Sequence, residues 1–331
     1  MAITLAEAKV GMADKVDQQV VDMFRRSSLL LDRMTFDDSI SPGTGGSTLT
    51  YGYVQLSTPA TANVRAINTE YTANEAKREK KTANAIIMGG SFEIDRVIQN
   101  TSGAIDELSF QAEQKIKATA NQFHNLAING TSAASGAGYV TGTFDGLRKL
   151  LAGTSRVVTS EVSLASSAEV TSNYAAFLDE LDAFLTCIDG KPDMLLMNSK
   201  MLNRIRACAR RAGYYERSKD DFGRVVETYN GIALLDAGQY YNGTNSVDVV
   251  GTSAATSAAA GKTDIFAVCL GLDAFHGISP LGGGLINSYL PDLTQPGAVK
   301  KGEVELVAGV ALKNTLKAAQ LTGISILPKT T

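Results

Sequence analysis

The chain has 331 residues, of which 44% are hydrophobic and 20% charged, and a formal net charge of −3. That composition suits about two domains of roughly 150 residues with substantial cores, and it argues against general disorder. The slightly acidic balance argues against a dedicated nucleic-acid binder held by phosphate contacts, though not against a protein that encloses nucleic acid.

No apolar run approaches the ~18 residues of a membrane span. The first turns, with Glu7, Lys9, Asp14, Lys15 and Asp17, hold no signal-peptide core, so synthesis and retention in a cytoplasm are expected. Cys187, Cys208 and Cys269 are odd in number and far apart, which suits reduced buried thiols better than a disulfide frame.

In chain order, residues 1–35 predict two short amphipathic helices. Leu5, Ala8 and Met12 share one face; after Asp14, so do Val16, Val20, Met23, Phe24 and Ser27. Such a segment is either an arm that packs on something else or an ordinary helical hairpin on its own domain. Residues 37–47 are turn-rich, and 48–56 alternate as a strand should. Residues 59–81 are polar and strand-poor, ending in Glu75-Ala76-Lys77-Arg78-Glu79-Lys80-Lys81. A packed domain rarely leaves so long an excursion between partner strands, so it either crosses a neighbouring subunit or is a flexible surface loop. The expected return strand is 85–96. Ile105, Leu108, Ala112, Ile116, Thr119, Phe123 and Leu126 then recur in steps of three and four. They predict one helix over 102–129, capped by Ser102, with Asp106 and Glu107 in its first turn and Asn129-Gly130 as its stop. At 1.5 Å per residue it would span roughly 40 Å, a strut more than the wall of a pocket.

Residues 130–143 read as a small polar loop, 144–151 as a turn into a short helix, and 154–172 as a crossing between two halves. A second region begins near Asn173. Tyr174, Phe177, Leu178, Leu181, Phe184, Leu185 and Ile188 form a helix stripe stopped by Asp189-Gly190-Lys191-Pro192. A buried strand at 194–197, a helix capped by Asn198 or Ser199, an Asn230-Gly231 hairpin turn and a buried strand at 264–270 complete an α/β half with its own core. The alternation of Val304, Leu306, Ala308, Val310 and Leu312 predicts a long last strand able to rejoin the first half.

Chemistry has little material. His124 and His276 each lack a partner at metal-ligand spacing; His124 is expected at a helix edge, and His276 is not assigned as a base. No Gly-x-Ser-x-Gly elbow, Walker or Rossmann spacing occurs, and no catalytic, cofactor-binding or metal residue is assigned. Arg204, Arg206, Arg210, Arg211, Arg217 and Lys219 form one basic cluster. On a helix it would lie opposite Ile205 and Cys208, either solvated or as an inter-subunit surface facing Asp220 and Asp221 of a neighbour.

One ordered series remains. Leu30-Leu31-Asp32-Arg33-Met34-Thr35-Phe36 is followed by Leu49-Thr50-Tyr51 and Arg65-Ala66-Ile67-Asn68-Thr69-Glu70-Tyr71. Then come Ile87-Met88-Gly89-Gly90-Ser91-Phe92-Glu93-Ile94-Asp95-Arg96, the helix end Phe123-His124-Asn125-Leu126-Ala127-Ile128-Asn129-Gly130, and Phe144-Asp145-Gly146-Leu147. In order and spacing the series resembles tailed-bacteriophage major capsid proteins of the Hong Kong 97-type fold, over most of the first 150 residues and more loosely afterwards. The resemblance implies an α+β fold with an N-terminal arm (1–46), an extended hairpin loop (47–91) and a peripheral domain (92–172) on a spine helix (102–129). An axial domain (173–290) and a return to the peripheral domain (291–331) would follow.

The resemblance also implies a coat protein that is no enzyme and takes no cofactor. It would self-assemble into hexamers and pentamers of an icosahedral shell around double-stranded DNA, without sequence specificity and away from membranes. Scaffolding, portal and decoration proteins would be partners, with assembly in a bacterial cytoplasm and residence in the virion. Subunit contacts would fall on Phe24 of the arm, on Arg65, Glu70, Tyr71, Lys77, Arg78, Lys80 and Lys81 of the hairpin, and on Arg204, Arg210, Arg211, Asp220 and Asp221. Some relatives begin with a cleaved scaffolding domain; none is evident here, so a separate scaffolding protein is expected. Some join a loop lysine to a neighbour's asparagine. Lys77, Lys80 and Lys81 lie in that loop, but no motif supplies the partner, and no crosslink is expected. Two other readings stand beside this one: an encapsulin-type shell around a cargo enzyme, and a soluble α/β enzyme of unknown substrate.

Overall fold

The computed structural model describes residues 30–38, 49–95, 97, 107–133, 140–213, 216–219, 225–280, 286–292 and 294–329. The expected N-terminal helices with Phe24, the cap Ser102, and Asp220 and Asp221 lie outside the described residues.

The described chain opens with α1 (Leu30–Arg33) and β1 (Phe36–Asp37). β2 (Thr50–Thr58) pairs antiparallel with β3 (Lys77–Asn84), and β4 (Ile86–Asp95) follows after Ala85. The partner of β2 is therefore the polar Lys77–Asn84 segment, not residues 85–96 as expected. Charged residues are poor strand formers, but here the cross-strand partner decides. β4 instead pairs along ten residues with β17 (Val299–Leu312).

The long helix is α2 (Glu107–Asn129), 23 residues and roughly 34 Å at 1.5 Å each. Its N-terminal half lays Leu108, Ala112 and Ile116 on Phe92, Ile94 and Val304. From Phe123 to Asn129 every residue is buried, so the stripe widens to the whole circumference.

After β5 (Gly130–Thr131), β6 (Val140–Thr141), α3 (Leu147–Leu151) and β7 (Val157–Thr159) comes α4 (Ser167–Leu185). It begins earlier than expected, because Ser166 and Glu169 form a reciprocal capping box. β8 (Met194–Met197) leads into α5 (Ser199–Ala212), whose cap Asn198 accepts from Met201 N and donates to Val250 O, Thr252 and Thr263. β9 (Glu216–Lys219), β10 (Val225–Tyr229) and β11 (Ile232–Asp236) follow, then β12 (Gln239–Tyr241), β13 (Ser246–Asp248), β14 (Gly261–Val268), β15 (Phe275–Ile278) and β16 (Ile286–Tyr289). Between β10 and β11, Asn230 and Gly231 both take positive φ, 51° and 67°, as a type I′ turn requires.

Two sheets organise these elements. One runs β1-β15-β17-β16 with β4 also on β17; the other has seven strands in the order β7-β18-β14-β8-β11-β10-β9, β18 being Ala318–Leu327. Alternate residues of the central strands serve two cores. Met194, Leu196, Phe266 and Val268 join the core containing Phe123 and Leu126 of α2. Leu195, Met197, Ile265 and Ala267 join Phe177 and Leu181 of α4 and Ile205 of α5. Burial on both faces explains why these strands read as unbroken apolar runs.

Residues 291–331, expected to return together to the first half, divide instead. Val299–Leu312 joins β4 and β15, whereas Ala318–Leu327 pairs antiparallel with β14 in the seven-stranded sheet. β15, expected within the second half, belongs to the first sheet.

Candidate assembly surfaces

Among the described residues, the β2–β3 hairpin is fastened at its root. Tyr51 Oη donates to Asp37 Oδ2 (3.0 Å), Tyr53 Oη to Leu312 O (3.3 Å), and Gln55 Nε2 to Lys313 O (2.7 Å). Ala85 N donates to Leu49 O (2.7 Å), closing the base. Lys313 Nζ stands 5.4 Å from the centroid of the Tyr51 ring, and the buried His276 ring meets that ring edge-to-face with centroids 5.8 Å apart.

Beyond that root the hairpin leaves its own body. Directly opposed residues of an antiparallel pair share a face. Tyr51, Tyr53 and Gln55 point inward with Ala83, Lys81 and Glu79. Gly52, Val54 and Leu56 point outward with Thr82, Lys80 and Arg78. The Lys80 stem lies across Gly52, where an added Cβ would come within 3.0 Å of its Cε.

At the tip, Asn74 and Thr61 exchange hydrogen bonds across the loop base, and the Arg65 guanidinium lies 5.3 Å from the Tyr71 ring centroid. Val64 is fully exposed and Ile67 89% exposed. An aliphatic side chain contributes roughly 1.5–3 kcal/mol when buried, and Val64 and Ile67 forgo that stabilisation among the described residues.

The expected contact residues Arg65, Glu70, Tyr71, Lys77, Arg78, Lys80 and Lys81 all lie on this exposed hairpin, Lys81 held 2.8 Å from Glu79. Sequence reasoning missed Val54, Leu56, Val64 and Ile67. The sole signal for the first two was apolar residues at both parities of one strand.

The basic cluster is not one outward face. Arg204 turns inward and donates to Ala165 O (2.7 Å) and Ile326 O (3.0 Å), binding α5 to the end of β18. Arg206 pairs with Glu227 (2.6 Å), and Arg211 donates to Thr171 and Ser167 of α4. Arg210 is exposed.

A cleft of about 700 Å³ lies where α2 and α3 meet the seven-stranded sheet, lined by Asn125, Asn129, Arg148, Lys262, Asp264 and Thr322 among others. Asp264 accepts from Arg148 (2.7 Å), Gln320 (3.1 Å), Thr322 (2.6 Å) and Gly323 N (3.2 Å). Arg148 also reaches Asn129 Oδ1 (3.3 Å), and Asn129 donates to Val249 O (2.7 Å). Donors and acceptors answer one another, which makes the network a structural joint.

His124 is buried, not at the helix edge as expected, because residues on every side of α2 are enclosed there. Burial lowers its pKa to about 4 against the pull of Asp32. Burial likewise lowers His276, whose Nδ1 lies 3.3 Å from Ala274 O. The Nε2 atoms of both lack a hydrogen-bond partner. Cys208 and Cys269 are buried as expected, and Cys187 is partly exposed. Burial raises the Cys208 thiol to about 11. Among the described residues no three His, Cys, Asp or Glu side chains are grouped to hold a metal ion, and no helix is long and apolar enough to cross a membrane.

A family model described as SU10 major capsid protein matches residues 13–232. No curated protein matches the chain in sequence. Among solved structures, the holo-SrpI encapsulin complex from Synechococcus elongatus PCC 7942 is similar at a TM-score of 0.66 and 14% identity, over 100% of this chain and 99% of that one. The capsid of Myoviridae phage XM1 is similar at 0.59 and 14% identity, over 98% and 99%. Mycobacterium phage Ogopogo follows at 0.58 and 13%, over 97% and 99%. Such low identities speak for the fold, which is the Hong Kong 97-type capsid fold.

Proposed function

Because the chain belongs to the SU10 major capsid protein family, we propose that its copies close into hexamers and pentamers of an icosahedral shell around the double-stranded DNA of a tailed phage. The observation that carries this reading is the hairpin: clamped at its root, it projects Val54, Leu56, Val64 and Ile67 into solvent. A neighbour's surface gives those residues the burial that their own chain withholds. Each such contact is modest, but a closed lattice repeats it for every subunit, and avidity supplies the rest. The hairpin, 47–91, and the arm, 1–46, act as inter-subunit clasps in this reading, with Phe24, Arg65 and Tyr71 among the contacts. A net charge of −3 suits a container whose DNA must enter and leave without strong attraction. Scaffolding, portal and decoration proteins are its expected partners, and the virion is its destination.

A second reading is favoured by the likeness to the holo-encapsulin complex, namely a shell of the same fold around a cargo enzyme. Electron microscopy of particles sedimented from producing cells, with mass spectrometry of their protein and cargo, separates the two. Icosahedral particles dominated by this chain and filled with DNA support the capsid reading. A co-purified enzyme in DNA-free shells supports the second. A chain absent from sedimenting particles and monomeric at any concentration overturns both.

A further inference from the structure

His276 lies under the root of the projecting hairpin. Side chains alternate along β15, so Phe275 joins the core that holds Phe123, whereas His276 and Ile278 face the other way. Ile278 packs there with Tyr51, Ala85 and Ala311, and Tyr53 and Ala83 close against them. His276 stands opposite Ala311 in the ladder, and its ring meets Tyr51 edge-to-face. The residue is 0% exposed. Its cover on that side is thus built from the base of β2 and β3, the two strands that leave the body.

A carbonyl oxygen can only accept, so Nδ1, 3.3 Å from Ala274 O, carries the ring proton. Nε2 is then a bare acceptor, with no hydrogen-bond partner among the described residues. A second proton would make a buried cation whose new N–H has nothing to donate to. From β2 the ring faces Tyr51, with Tyr53 beside it. Burial disfavours the charged ring most, and the Lys313 ammonium opposes it as well. Asp37 and Asp273 favour it, but Asp37 Oδ2 already accepts from Tyr51 Oη (3.0 Å) and stands 3.9 Å from Lys313 Nζ, while Asp273 is on the surface. Raising the hairpin base admits water to Nε2 and removes the conflict. We infer that His276 is an acid-operated latch: its uncharged ring seats the hairpin root, and its protonation in mild acid frees that root, so that the hairpin can change its angle to the body. An opened root returns the ring to its ordinary pKa of about 6.5, so the root is held above that pH and each unit below it favours opening by up to ~10-fold. As a control on a shell, where the hairpin is a clasp, the latch rests on the shell reading; as a property of one subunit it does not.

The test is amide hydrogen exchange of unassembled subunits at pH 7 and pH 5, corrected for the chemical exchange rate at each pH. Protection of Ala85 N, which donates to Leu49 O, and of the β2–β3 amides around Tyr51 and Tyr53 should fall by ~5-fold or more at pH 5, while β8 and β14 keep theirs. His276→Gln, uncharged at both pH values, should abolish this dependence. His124→Leu should retain it, and His276 is then the single histidine of the chain, so its ring resonance can be followed by NMR without any change at the latch. That ring should take up its proton over the same pH range in which the root opens, a result that stands even where His276→Gln does not fold. Equal root protection at the two pH values, an undiminished acid effect in His276→Gln, a loss shared by β8 and β14, or a ring that titrates while the root stays protected overturns the latch. Each of these leaves the shell reading untouched, since particles decide that. A root that opens in acid in a chain that never forms particles sinks the shell reading and leaves the latch in place.

Discussion

Arg148 Nη1 lies 2.7 Å from Asp264 Oδ2, and this pair joins α3, which follows the long helix, to the middle of the seven-stranded sheet. Both side chains are largely shielded, 19% and 12% exposed, so each charge depends on the other. Arg148→Met leaves Asp264 with neutral donors only and should cost about 3 kcal/mol in denaturant unfolding of dissociated subunits. Arg148→Met combined with Asp264→Asn should cost less than that single change. A loss below about 1 kcal/mol for Arg148→Met would show that Gln320, Thr322 and Gly323 suffice.

His124 sets an acid limit. Its folded pKa is about 4, below the ordinary 6.5, so the folded subunit holds it neutral. Stability from this group is complete above pH 6.5, falls as the unfolded chain takes up protons below that, and levels off near pH 4. The total loss is about 3 kcal/mol. Unfolding midpoints compared at pH 7 and pH 5 should converge in His124→Leu relative to wild type. His276, also lowered, adds a loss of the same sign below pH 6.5.

Tyr51 holds the hairpin root through Asp37, the edge of His276 and the Lys313 ammonium. Tyr51→Ala should speed amide hydrogen exchange along β2 and β3 while leaving β8 and β14 protected. Tyr51→Phe removes one hydrogen bond, worth about 1 kcal/mol, and should give a milder effect. Equal exchange in all three proteins would mean that the root is held elsewhere.

The β4–β17 ribbon is pinched at two glycines with different tolerance. A Cβ at Gly89 would stand 1.9 Å from Val304 O, a backbone atom, so the strands would have to part. A Cβ at Gly302 would stand 2.3 Å from the end of the Phe92 ring, a side chain and not backbone, so the clash can be met without parting the strands. Gly89→Ala should therefore destabilise the subunit more than Gly302→Ala, by about 3 against about 1–2 kcal/mol, read as the larger drop in melting temperature.

Some of this was legible in the residues. The steps from Leu108 to Leu126 are those of α2, Asn230-Gly231 is the turn between β10 and β11, and Met194–Met197 is a buried strand. Lys77–Asn84 was not legible as a strand, because its charges carry no periodic signal and its pairing with β2 supplies the structure. His124 looked peripheral by stripe counting, yet the core closes around all of 123–129. The inward turn of Arg204 was equally hidden, since its acceptors, Ala165 O and Ile326 O, are backbone atoms remote in sequence.

Periodicity, caps and turn residues act within a few positions of one another, so the sequence by itself determined where helices and most strands form and which side of each avoids water. What covers each of those sides was decided only in three dimensions. Val299–Leu312 and Ala318–Leu327 are both alternating strands, but one backs onto Ile86–Asp95 and the other onto Gly261–Val268. That choice is made by contacts between distant segments, whose free energies depend on the whole assembled core, and the same contacts leave the hairpin's outward face bare.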